Sequence, residues 1–132
     1  VKYLLDTHVL VWALDQPEQL SAKCRKLLLD EASLPLGVAA ISLWEIATKA
    51  AGGKLVLDKP VADWIEAAIR PPFVTVLPLD ERVAVESSRL PEPFHRDPAD
   101  RMIVATARLH GLTLLTRDHA IRDYPHVKTV WD

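Results

Sequence analysis

The stretch Asp97-Pro98-Ala99-Asp100-Arg101-Met102-Ile103-Val104-Ala105-Thr106-Ala107-Arg108-Leu109-His110-Gly111-Leu112-Thr113-Leu114-Leu115-Thr116-Arg117-Asp118 reads as a helix running straight into a buried strand. Asp97 directly before Pro98 is the pattern of a helix N-cap followed by proline at the first helical position, and Gly111 is the residue expected just past a helix end. Met102, Ile103, Thr106 and Ala107 recur at helical spacing and form a stripe to be buried. The apolar run that follows carries Asp118 just beyond its end.

The same grammar extends outward in both directions. Residues 2–5 are a short apolar strand that stops at Asp6-Thr7, residues 36–40 an unbroken apolar run suited to an inner parallel strand, residues 73–77 a third strand between prolines, and residues 127–130 an edge strand. Helices lie between them. One begins after Asp6 and stops near Pro17, Ser21 caps a second, Ser42-Leu43-Trp44-Glu45 opens a third that ends at Gly52-Gly53, Pro60 starts a fourth, and Asp80 caps a fifth. Strands alternating with helices predict an α/β fold in three layers: a central parallel sheet of four to five strands flanked by helices. At 132 residues, with no repeat or linker, residues 1–132 form one domain with a core of its own.

Composition narrows the class. With 49% hydrophobic and 26% charged residues the chain is globular and not disordered. A single cysteine, Cys24, makes no internal bridge and fits a thiol packed on a helix in a reducing compartment. No apolar run approaches the ~20 residues needed to span a bilayer, and Val1-Lys2-Tyr3-Leu4-Leu5 is not a secretory leader, so no membrane association and a cytoplasmic location are expected. A net charge of -2 argues against a polyanionic partner, but the distribution argues for one. Arg96, Arg101, Arg108, Arg117 and Arg122 crowd the region that also holds Asp97, Asp100 and Asp118, and a guanidinium rim around an acidic centre suits phosphate-ester chemistry. A solvated charged face explains the same arginines more simply.

In a parallel α/β sheet ligands collect at the carboxyl ends of the strands. Asp6 and Asp118 end strands there, while Glu45 and Asp100 fall in the first turns of helices that start at the same edge. Each has a simpler reading. Ser42-x-x-Glu45 is also a capping box, Asp97 an N-cap, Asp100 an acid favoured by the helix dipole, and Asp6 and Asp118 caps of the next helices. Convergence weighs against these readings. Two carboxylates about 4 Å apart repel by ~1 kcal/mol in water and ~4 kcal/mol at an effective dielectric of 20, a cost that a hard cation removes. All-oxygen ligands favour Mg²⁺ (or Mn²⁺) over zinc. His95-Arg96-Asp97 lacks the glycine-rich loop of a kinase, and Gly52-Gly53-Lys54-Leu55 lacks the remainder of a phosphate loop. His8, His110, His119 and His126 show no paired metal spacing and are read as structural. Trp12, Trp44 and Trp64 are read as core.

Taken together, Leu4-Leu5-Asp6-Thr7-His8, Ser42-Leu43-Trp44-Glu45-Ile46, Asp97-Pro98-Ala99-Asp100-Arg101 and Leu115-Thr116-Arg117-Asp118 resemble the PIN-domain ribonucleases, and among them the VapC-type toxins of bacterial toxin–antitoxin pairs. The resemblance covers nearly the whole chain. It implies that Asp6, Glu45, Asp100 and Asp118 are the family's acidic quartet, with Thr116 a hydroxyl near the metal and Asp97 an accessory position. It further implies Mg²⁺-dependent cleavage of RNA, a homodimer, and inhibition by a small cognate antitoxin. Arg96, Arg101, Arg108 and Arg117 are the candidates for holding flanking phosphates. Two alternatives stay open: a DNA or structure-specific nuclease of the same fold, and a non-catalytic interaction domain. A phospho-aspartate hydrolase is disfavoured, since His8 stands where a second Asp is needed.

Overall fold

The computed structural model describes all residues from Val1 to Asp132. Five strands, β1 (Tyr3–Leu5), β2 (Leu36–Ala39), β3 (Val74–Leu77), β4 (Thr113–Leu115) and β5 (Thr129–Val130), form one wholly parallel sheet in the order β3-β2-β1-β4-β5. Between them run α1 (Thr7–Asp15), α2 (Ala22–Leu29), α3 (Ala40–Ala51), α4 (Val61–Ala68), α5 (Glu81–Ser88), α6 (Pro98–His110) and α7 (His119–Arg122). The expected three-layer architecture is what the chain adopts.

The strands are apolar throughout because both faces are covered. Successive side chains point to opposite faces, and two separate cores result. Leu4, Ala39 and Leu114 join Ile103, Val104 and Ala107 of α6 on one face. Leu5, Val38 and Leu115 join Val9 and Leu10 of α1, Ile46 of α3 and Trp64 of α4 on the other. Register locks the pattern, with Leu4 opposite Leu114 and Leu5 opposite Leu115. A slip of one residue would exchange every partner.

This topology also places the functional edge. The chain steps from β1 outward to β2 and β3, then returns to the other flank of β1 for β4, which makes the carboxyl ends of β1 and β4 the switch point of the sheet. Helix α6 ends at Gly111, whose left-handed φ of 64° turns the chain at once into β4. Because α6 runs back against the strand direction, its first turn, with Asp100, lies at that same carboxyl edge.

Candidate metal centre

Each acid reaches the edge by a local device. Asp6 follows β1 and starts α1: its Oδ1 accepts the Thr7 amide at 2.8 Å and its Oδ2 the Thr116 hydroxyl at 2.7 Å. Thr116 follows β4, so the pairing of Leu5 with Leu115 brings the two residues side by side. Asp118 caps α7, its Oδ1 accepting the Ala120 amide at 2.8 Å, and its own amide donates to Thr116 at 3.0 Å. Asp6 and Asp118 are therefore helix caps and pocket acids at once.

Glu45 differs from the sequence expectation. Helix α3 begins at Ala40 directly after β2, with Ala39 at the cap and no side-chain cap bond. Ser42-x-x-Glu45 is thus not a capping box, and Glu45 lies in the second turn. Its Oε1 stands 2.6 Å from Thr7 Oγ1, which is 3.0 Å from Ser42 Oγ. With one hydroxyl proton, Thr7 donates to the carboxylate and accepts from Ser42. Glu45 Oε2 pairs with Lys49 at 3.2 Å.

Asp97 caps α6 as expected, its Oδ1 accepting the Asp100 amide at 3.1 Å, with Pro98 in the first turn. Replacing Asp97 by Ala should cost about 1 kcal/mol in urea unfolding, and Asp97→Ser should recover most of it. Asp100 faces the cleft, with Oδ2 at 3.3 Å from His95 Nε2, a contact not aligned as a hydrogen bond. Burial, reinforced by the charges of Asp6, Asp97, Asp118 and Glu45, pushes the Asp100 carboxyl up to about 7.

Asp6, Glu45, Asp97, Asp100 and Asp118 line one cleft of about 270 Å³, where Lys49 is the only lysine or arginine. Asp6 is 3% exposed. Burial raises its pKa against the opposing pull of His8, Thr116 and Thr7. As the side chains lie, no three acids enclose a common point fit for an ion. The reason is visible in their partners: amides and hydroxyls hold Asp6 and Asp118, Thr7 and Lys49 hold Glu45, and Asp100 leans to His95. The donor set nevertheless fits a hard divalent cation, being carboxylate oxygens with excess negative charge in a partly buried cleft.

Other residues depart from the sequence reading. His8 lines the cleft instead of serving only the core: its Nε2 accepts the Arg117 amide at 3.1 Å, so the neutral ring carries its proton on Nδ1, which faces Asp6 Oδ2 at 3.6 Å. Burial lowers its pKa, against the opposing charges of Asp6 and Asp118. Lys49 also lines the cleft, and nothing in its spacing marks it; Thr7, quoted beside Asp6 in the first motif, has the further part of anchoring Glu45. Arg101 and Arg108 were expected to hold phosphates, but their guanidiniums are occupied elsewhere. Arg101 donates to the carbonyls of Ser87 and His95 at 3.0 and 3.2 Å. Arg108 pairs with Glu86 at 3.0 Å and donates to the His126 carbonyl at 2.6 Å. Arg96 and Arg117 remain exposed, with Arg117 over the Trp12 ring. Among the tryptophans Trp64 is core, Trp12 is half-buried at the cleft, and Trp44 is 60% exposed, contrary to expectation.

Comparison with known proteins agrees with this fold. The PIN domain family matches residues 3–127. The chain belongs to the PIN-domain family. It is 37% identical over 130 residues to Ribonuclease VapC22 of Mycobacterium tuberculosis, covering 97% of each chain. Among solved structures it resembles VapBC2 from Rickettsia felis bound to a promoter DNA fragment, with a TM-score of 0.72 at 16% identity over 100% of both chains. FitAcB from Neisseria gonorrhoeae superposes with a TM-score of 0.65 at 25% identity, over 96% of this chain and 95% of that one. As a PIN domain, the chain places its acids at the edge where its own sheet topology reverses.

Proposed function

We propose that this PIN domain is a divalent-metal-dependent endoribonuclease of the VapC kind, a toxin that hydrolyses phosphodiester bonds in RNA and is restrained by a small cognate antitoxin. The observation that carries the reading is the joint one: near full-length similarity to Ribonuclease VapC22, and five acids in one cleft at the carboxyl edge of the sheet. Asp6, Asp100 and Asp118, with Glu45, would hold the ion. When bound, Mg²⁺ or Mn²⁺ supplies positive charge to the scissile phosphate and lowers the pKa of a water.

The chain's own residues supply the remaining functions. Glu45, anchored by Thr7, orients the attacking water for in-line displacement, which leaves a 5′-phosphate and a 3′-hydroxyl. Thr116 fixes Asp6, and Asp97 sets the first turn of α6 and so aims Asp100. Arg96 and Arg117, free of internal ion pairs, contact flanking phosphates. The antitoxin, a homodimer and action in the cytoplasm belong to the same reading. No helix is long and apolar enough to cross a membrane.

The test is cleavage of RNA with Mg²⁺, with EDTA, and by Asp100→Ala. Cleavage confined to the unmodified protein with Mg²⁺ supports the proposal. Activity that persists in EDTA and in the variant refutes it.

A further inference from the structure

Trp44 precedes Glu45 on α3 and leaves most of its indole in water. One exposed apolar side chain is ordinary on a protein surface. Its setting is not. Trp44 lines a groove of about 480 Å³ together with Gly52, Pro98, Lys49 and Lys54, and this groove shares Glu45, Lys49 and Asp97 with the acid cleft. The two depressions therefore adjoin. Lys54 is exposed and enters no ion pair.

An acidic cleft repels a polyanion, so affinity for RNA has to come from its surroundings. Arg101 and Arg108 do not supply it, being bound internally. A flat aromatic face with ammonium groups beside it is what an unpaired base and its neighbouring phosphates require. The exposed surface of the groove is mostly apolar, as a stacking platform for a base requires, and the charged residues Lys49, Lys54, Glu45 and Asp97 are among those that line it. We propose that Trp44 stacks an unpaired base of the RNA next to the scissile bond, with Lys54, which is free of ion pairs, facing an adjoining phosphate. This inference rests on the ribonuclease reading above.

The experiment is steady-state cleavage of a short unstructured oligoribonucleotide that carries a fluorescent adenine analogue, by the unmodified protein, Trp44→Ala and Trp44→Phe in Mg²⁺. Trp44→Ala should raise KM on the order of tenfold or more, with a smaller loss in kcat, and Trp44→Phe should recover most of it. Fluorescence of the analogue should be quenched by the unmodified protein and by Trp44→Phe, but not by Trp44→Ala. Melting temperatures should match, since Trp44 is not in the core. Equal KM and equal quenching for Trp44→Ala, with cleavage still abolished by Asp100→Ala, overturn the stacking role and leave the ribonuclease reading standing. Loss of antitoxin affinity in Trp44→Ala without any change in KM assigns the groove to a protein partner and also overturns it. Absence of RNA cleavage by the unmodified protein sinks both.

Discussion

Asp100→Asn should lower RNA cleavage by more than about 100-fold and, in the same protein without metal, raise the melting temperature. The first effect follows from the proposed ligand role, since even residues that only support a ligand are worth 10–100-fold. The second follows from the electrostatics of the cleft. Burial and four neighbouring acids hold the Asp100 carboxyl at about 7, against 3.8 ordinarily. Between those values the folded state keeps a proton that the unfolded state has released, so stability falls as pH rises through the window and levels off above it. Asn mimics the neutral form at every pH. The gain should be largest near pH 8, a few degrees at roughly 3–5 °C per kcal/mol in a domain of this size, and should vanish near pH 4. Protons compete with metal over the same range, so metal affinity should climb toward pH 7. Thermal melts in EDTA at the two pH values, beside kinetics in Mg²⁺, check both halves. A variant that loses activity and also melts lower at pH 8 would point to a structural role for Asp100.

The largest effect on stability is expected from Trp64→Ala. Trp64 is fully buried among the residues that seat α3 and α4 on the sheet, and its Nε1 donates to Asp15 Oδ1 at 2.9 Å. Truncation leaves a cavity and should cost about 3–5 kcal/mol, a large part of the roughly 5–15 kcal/mol that holds a domain together. It also removes a partner from the Asp15 carboxylate, whose Oδ2 otherwise accepts only the Asp58 amide at 3.2 Å. Trp64→Phe should restore much of the packing but not that bond. Urea unfolding of the three proteins separates the contributions. A loss below about 1 kcal/mol for Trp64→Ala would mean that α4 is peripheral to the core.

Residues 97–118 were legible because every signal in them is local. The cap, the proline, the buried stripe and the glycine act on their own helix, and the apolar run that follows has only one use in an α/β chain. Asp6, Asp100 and Asp118 were legible for a related reason: each sits at, or within one turn of, a boundary between elements, and boundaries of parallel strands share an edge, whereas Glu45 lies a full turn inside α3. What the sequence concealed depends on contacts between distant segments. Glu45 is held by Thr7 across 38 positions, so its capping-box spacing was coincidental. His8 is placed by the Arg117 amide, 109 residues away. Arg101 and Arg108, seven residues apart, share a helical face, but that face meets α5 and the loops around Phe94 and His126 instead of solvent. Trp44 obeys helical periodicity with core neighbours, yet only the placement of α3 decides which arc of the helix meets solvent.

If these carboxylates form a divalent-metal pocket, the melting temperature of the protein responds to added Mg²⁺ or Mn²⁺ in the absence of RNA and antitoxin. An ion that binds only the folded state stabilises it by about 2.7 kcal/mol at a concentration 100 times its Kd. The unmodified protein should melt progressively higher as metal is raised, and Asp6→Asn should show a flattened response. A melting temperature of the unmodified protein that does not move with either ion would contradict the metal pocket.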